Sequence, residues 1–410
     1  MRLFSLAALL LAPLGLLALQ ADGDDTRPGD GGTVLASGRQ AFSFPFEGLS
    51  QEDNARFAIG NSFFKRNWVQ APASTTARDG LGPHFMARSC GGCHVADGRG
   101  TPPLAPVVSA AQQPISLLFK LGVGDGPEPR YGDQLLLASI EGVPPEGELR
   151  MAYRALNGRF ADGTRWSLRE PRYRFVKLSN GALHLQVHIS PRLAPQLPGV
   201  GLIEAVADAD IEANALEQAA RSDAIKGRVN RVTDPWDGQQ RVGRFGWKGD
   251  AATLVHQSAA AFNGDIGITS RLFPQESCMP SQIACLAAGK SQQRPEVDDK
   301  TLADVAFYQA LLAVPARPTP SLEVLRGRAL FHQAQCAACH RPSYTTGKPP
   351  FLPLSSPRVA GQRIWPYSDF LLHDMGERLA DGGAAHARAR LWKTPPLWGL
   401  SRVREVGAPL

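Results

Sequence analysis

Ser89-Cys90-Gly91-Gly92-Cys93-His94 and Gln335-Cys336-Ala337-Ala338-Cys339-His340 carry one signature twice: two cysteines two residues apart, followed at once by histidine. This is the attachment pattern for c-type haem. Each thiol adds across one vinyl group of the porphyrin, and the adjacent histidine then sits under the iron. Two structural zinc sites are the competing reading. Zinc needs all its ligands to converge, whereas each motif here is complete alone. The spacing therefore predicts two covalently bound haem c groups, on Cys90, Cys93 and His94 and on Cys336, Cys339 and His340.

Four of the 6 cysteines belong to these motifs. Cys278 and Cys285 are left, and no histidine follows either. In an oxidising compartment they read as a local disulfide, with a redox-active thiol pair as the alternative. Export agrees with the N-terminus. Arg2, the apolar run Leu3 to Leu19 and Ala18-Leu19-Gln20-Ala21 read as a signal peptide over residues 1–21, which implies a periplasmic protein. An uncleaved anchor is the alternative; no second apolar run follows, so no membrane span is expected after cleavage.

The 410 residues suit two or three domains. Net charge is +6, from 44 basic and 38 acidic residues. The arginines are scattered and form no nucleic-acid stripe; a mildly basic surface favours an acidic redox partner. Residues 22–49, rich in Gly, Asp and Thr, read as a loose leader. Ser50-Gln51-Glu52-Asp53 starts a helix toward Trp68 that buries Phe57, Ala58 and Phe64. Residues 50–130 then form an N-terminal haem domain. Residues 131–314 form a long irregular middle segment that packs on the haem domains. In it, Tyr173–Leu178 and Ala182–Ile189 flank Ser179-Asn180-Gly181 as a β-hairpin, with His184 and His188 on its polar face. Asp208 to Ala224 reads as helix. After the linker Val314-Pro315-Ala316-Arg317-Pro318-Thr319-Pro320, residues 315–410 form a C-terminal haem domain, whose helix carries Leu322, Leu325 and Ala329 on one side and leads to Cys336. The expected fold is mainly α: two cytochrome-c-like domains and the hairpin-bearing middle.

Further stretches resemble the dihaem oxidoreductase family, relatives of bacterial dihaem cytochrome c peroxidases. They are Gly80-Leu81-Gly82-Pro83, Tyr131-Gly132-Asp133-Gln134-Leu135, Gly201-Leu202-Ile203-Glu204-Ala205, Gly243-Arg244-Phe245-Gly246-Trp247-Lys248, Asp265-Ile266-Gly267-Ile268-Thr269-Ser270, Pro366-Tyr367-Ser368-Asp369-Phe370-Leu371-Leu372-His373-Asp374-Met375-Gly376 and Thr394-Pro395-Pro396-Leu397-Trp398-Gly399. The resemblance implies a peroxidase-like enzyme. Its partners would be a small redox protein, as electron donor or acceptor, and hydrogen peroxide or an organic or protein substrate. Family members usually continue past the Trp-Gly segment, so the chain reads as a truncated form. They also tend to carry an Asp-rich, calcium-type turn where this chain has Ala220-Arg221-Ser222-Asp223-Ala224-Ile225-Lys226-Gly227-Arg228. One acid among several cations argues against calcium there.

The occupant of the sixth iron position decides the chemistry. Met375, His373 and Tyr367 follow His340 at distances that let a loop return across the second haem, or they form a packed wall. Tyr367 enters because a tyrosine ligand occurs in a relative that matures methylamine dehydrogenase. The first haem has no comparable ligand and is the candidate reactive iron. Glu204 is the candidate acid–base group above it, with Gln134 as polar partner; a structural ion pair is the plainer role for Glu204. Trp247 either carries electrons between haems or fills core. The expected activity passes electrons from the C-terminal to the N-terminal haem. Alternatives are a dihaem electron carrier without catalysis, or an oxidase of a protein or organic substrate acting through a high-valent dihaem state.

Covalent attachment makes a direct prediction. Denatured protein should retain two haems per chain through acid–acetone extraction and give a c-type pyridine haemochrome spectrum. Haem moving into the organic phase, or one haem per chain, contradicts it.

Overall fold

The Ser50 side chain accepts the amide of Asp53 and starts the first long helix where the capping pattern places it. A computed structural model describes residues 26–102, 107–108, 116–288, 291, 294–381 and 388–407; the expected signal peptide lies outside them. The main helices are α1 (Gln51–Lys65), α2 (Asp208–Ala219), α3 (Leu254–Ile266), α4 (Asp299–Ala310) and α5 (Leu322–Gln333). The strands used below are β1 (Leu117–Gly122), β2 (Glu148–Arg159), β3 (Arg165–Val176), β4 (His188–Leu193), β5 (Leu372–Asp374) and β6 (Leu391–Lys393).

The expectation of a mainly α fold is corrected: 29 % of the chain is helical and 21 % is strand, spread over many small sheets. The largest ladder is an antiparallel hairpin of β2 and β3, paired from Glu148↔Val176 to Arg159↔Arg165. β1 is paired on one edge by β4 and on the other by Gln134–Leu135. The expected hairpin across Ser179-Asn180-Gly181 does not form. Gly181 takes the left-handed φ of +88° that a turn needs, but the amides that follow are drawn elsewhere. His184 N–H donates to Oε1 of the buried Glu128, and Tyr131 O–H donates to Gly181 O. His188 starts β4 instead, opposite Gly122.

The first CxxCH unit is closed by a helix from far along the chain. α1 crosses α4, with the rings of Phe57 and Phe64 tilted against Tyr308, 4.7 and 5.3 Å between ring centres. The crossing depends on Gly60, where a Cβ would lie 2.0 Å from Asp304 O. Residues 299–310, expected in the middle segment, thus complete the N-terminal unit. Phe57 and Phe64 are buried as expected, but Ala58 is exposed; Trp68 is buried as well. Nor is the leader loose from Thr26 on. Thr33 and Val34 pair with Val314 and Pro315, and Phe42 and Phe46 are buried.

α5 is capped by Ser321, one residue beyond Pro320. It lacks a closing helix among the described residues and buries none of its side chains; Leu322 is 75 % exposed. Cys278 and Cys285 are joined, and their loop docks through Gln282, which donates to the buried Glu146. No helix among the described residues is long and apolar enough to cross a membrane.

Asp97, just past the first motif, is fully buried and accepts from Tyr308 O–H at 2.6 Å while pairing with Lys65 at 2.9 Å. It joins motif, α1 and α4. Removing one member of such a pair strands the other, so Asp97→Ala should cost about 3–5 kcal/mol in urea unfolding. A loss within about 0.5 kcal/mol, the usual effect of a surface change, would contradict this.

Candidate functional site

His94 ends the short helix Cys90–Cys93, and its Nδ1 lies 2.8 Å from the carbonyl of Pro195. A carbonyl only accepts, so Nδ1 carries the proton and Nε2 keeps a lone pair. Burial holds the ring's pKa below its ordinary value, which keeps the imidazole neutral. His340 is held in the same way, with Nδ1 at 2.8 Å from Tyr367 O. Both rings therefore present Nε2 to a metal, and the held nitrogen fixes the tautomer as in other metal-binding histidines. The thiols of Cys90 and Cys93 are pushed up to about 12, by burial first and Asp265 second. Zinc-type thiolates need the opposite shift.

The first motif opens into a cavity of about 770 Å³, which suits a large cofactor. Cys90, Cys93 and His94 line it together with β1, the 188–197 segment and a face of α3. Gln134 and Trp247, both singled out from sequence, lie on its wall. The Gln134 amide donates to Asp265 Oδ1 at 2.9 Å and to Gly264 O at 3.0 Å. Two acceptors fix the amide's orientation and leave Oε1 buried without a partner. Asp265, not recognised as a site residue in the sequence, has its pKa raised by burial, against the bond from Gln134. Its signal is faint: one acid at the end of a helix, after Asn263 and Gly264. His188 and His256 also line the cavity. His188 packs on Gly122, where a Cβ would meet its Nε2 at 2.3 Å.

Glu204, expected over the first haem, is not among the residues that line this cavity. Its Oε1 accepts the Leu254 amide at 2.7 Å, at the start of α3. Arg244 of the Gly-Arg-Phe-Gly-Trp-Lys stretch bonds the carbonyls of Ile203, Glu204 and Val206 and pairs with Asp208, closing the helix Val200–Glu204. The contact shown for its carboxylate is a hydrogen bond from a helix-start amide rather than the ion pair expected as its plainer role.

At the second motif the three alternative sixth ligands have different surroundings. Tyr367's own carbonyl anchors His340, and its ring meets Phe331 and the Arg317 guanidinium. His373 has Nε2 at 2.8 Å from Asp369 and Nδ1 at 3.7 Å from Cys339 Sγ, so both ring nitrogens are engaged beside the thiol. Burial lowers its pKa, but these partners outweigh burial and hold it at about 9. Met375 projects outward, 51 % exposed. Trp247 and Trp392 meet edge to face, 6.4 Å between ring centres. Trp392 is the cross-strand partner of His373. Side chains thus run from the first cavity to Cys339.

At the turn compared with a calcium site, Lys226 Nζ donates to the carbonyls of Gln218, Ala219 and Arg221. An ammonium answers the carbonyls at the end of α2.

The family described as "Di-haem oxidoreductase, putative peroxidase" matches residues 23–122 and 160–408. The chain belongs to the di-haem oxidoreductase family. No curated protein and no solved structure matches it. Membership supplies an oxidoreductase with haem cofactors. The residues present fit that group: two histidines each held at Nδ1 by a backbone carbonyl, thiols beside each, and a large cavity at the first.

The Glu204 carboxyl gives a test of its role. Burial raises its pKa from 4.5 to about 7, offset in part by the Leu254 amide. A raised carboxyl binds its proton more tightly in the fold than in the unfolded chain. Its contribution is present below pH ~4.5 and fades as pH rises to about 7, by roughly 3 kcal/mol at most. Glu204→Gln should remove that slope, so wild type loses stability relative to the variant between pH 4.5 and 7. Parallel stability curves would contradict the assignment.

Proposed function

We propose that the chain is an exported, periplasmic c-type di-haem oxidoreductase with peroxidase-like chemistry at its N-terminal haem, supplied with electrons through its C-terminal haem. The supporting observation is the pairing of His94, its Nδ1 tied to Pro195 O, with a cavity holding the hydrogen-bonded Gln134–Asp265 pair. Cys90, Cys93 and His94 would hold one haem, and Cys336, Cys339 and His340 the other. Lys120 and Arg192, on the cavity wall, suit the carboxylates of a porphyrin. A haem held there supplies an iron that exchanges electrons with peroxide.

The chain's own part is proton handling. Gln134 Oε1, an acceptor in want of a donor, takes the O–H of an incoming peroxide. Asp265, whose carboxyl holds its proton more tightly than usual, is placed to move a proton between the two oxygens. Gln134 also fixes the carboxyl's orientation. Trp392 and Trp247 offer the route inward from the second haem, and an acidic small redox protein is the expected donor. The second reading is an electron carrier. It rests on His188 and His256, either of which could close the first iron from the same cavity wall.

Asp265→Asn keeps size and hydrogen bonding but removes the carboxyl proton. Peroxide turnover should fall by about 10²–10⁴-fold, while haem content and reduced spectra stay as in wild type. Gln134→Leu should lower turnover less. Full turnover in Asp265→Asn would remove it from the mechanism.

A further inference from the structure

The β2–β3 hairpin is not accounted for by the haem chemistry. Its ladder of twelve pairs is roughly 40 Å long. The root is core: Leu149 and Met151 are buried, and Phe175 and Tyr173 pack on Phe119 at 4.9 and 5.1 Å. Beyond the root none of residues 152–172 is buried, so both faces of the arm are open. The family match also breaks across residues 123–159, which contain all of β2.

Two features make the arm unfavourable by itself. An isolated two-stranded hairpin is marginally stable in water. The register also sets like charges opposite each other, Arg150↔Arg174 and Arg159↔Arg165, which costs further stability. Residues 148–176 hold seven arginines against Glu148, Asp162 and Glu170, a net +4, in a chain whose total is +6. Most of the molecule's excess positive charge therefore stands on one projection. Between the arginines lie apolar groups: Leu168 is 59 % exposed, Phe160 at the tip is 61 % exposed, and Trp166 fills the space beside its cross-strand partner Gly158.

We propose that this arm is a docking surface for an acidic protein partner. The arm itself shows the contact. Glu170 Oε2 sits between Arg154 and Arg172, 2.7 Å from each guanidinium, so the arginine spacing clamps a carboxylate. Arginine's planar fork suits carboxylates. Arginine, tyrosine and tryptophan, all present on the arm, are the residues enriched at interface hot spots. A second copy of the chain would bring +4 against +4. An acidic partner relieves the opposed arginines and covers the apolar groups together. The proposal does not depend on which haem reacts.

The test uses the full haem-loaded chain with poly-L-glutamate as probe, at low and high salt. The triple variant Arg154→Glu, Arg169→Glu, Arg172→Glu should weaken binding about tenfold or more, or about 1.4 kcal/mol. A charge-matched control, Arg39→Glu, Arg66→Glu, Arg404→Glu, alters exposed arginines elsewhere and should bind nearly as wild type. Two haems per chain in each variant report an intact fold. Should the reversal disturb the hairpin, the neutral Arg→Gln triple at the same arm positions should show the same loss, only smaller. Equal losses in arm and control variants overturn the proposal, as does unchanged binding by the arm variant. Arm-dependent dimers in sedimentation overturn it in favour of self-association. Arm-dependent binding to phosphatidylglycerol–phosphatidylcholine vesicles, without binding to the peptide, overturns it in favour of a lipid surface.

Discussion

A backbone carbonyl can hold only the ring nitrogen that carries a proton, and that constraint organises both halves of this protein. Pro195 O takes Nδ1 of His94 from 101 residues away; Tyr367 O takes Nδ1 of His340 from 27 residues away. Each motif supplies thiols and a ring locally, but the ring's tautomer and direction come from a distant loop. At the second site that loop bends sharply, with Tyr367 at a φ of +54°, a left-handed conformation that a bulky residue adopts only when its surroundings impose it. The same bend spends Tyr367 on the histidine's side of the site.

The two halves repeat the motif but not its enclosure. α4 returns across α1 at Gly60, and with α3 and β1 it leaves the first motif facing a cavity walled by core. α5 receives no such cover among the described residues. A walled cavity favours chemistry, because charges and protons placed there are not exchanged freely with solvent. An exposed site favours electron exchange at the surface. Lys248 ties the middle segment to the C-terminal part, reaching Asp381 and the carbonyl of Ala389.

The motifs, the Ser50 cap, α2 and the Cys278–Cys285 bond were legible because each is decided within a few residues. The β2–β3 hairpin was not. Its arginines fall on both faces, so the alternation that betrays a half-buried strand is absent. The Ser-Asn-Gly turn was legible as a turn but not as a hairpin, because Glu128, over fifty residues upstream, competes for the amide of His184. α4 was not read from the sequence, and nothing local says that Gly60 admits it. Gln134 and Trp247 were found through resemblance and stand on the cavity wall. Glu204 was found in the same way and stands at a helix start. Asp265 was passed over because its significance lies in what faces it, the Gln134 amide, rather than in its neighbours along the chain.

The central claim is that one haem, on His94, is open to peroxide while the other serves electron transfer. Electron paramagnetic resonance of the resting and half-reduced protein, compared with a Cys90→Ala, Cys93→Ala variant, reads this most directly. The account predicts one high-spin iron in the wild type that is lost in the variant, with the second iron's signal retained. Two low-spin irons in both oxidation states, or a high-spin signal that survives loss of the first motif, would contradict it.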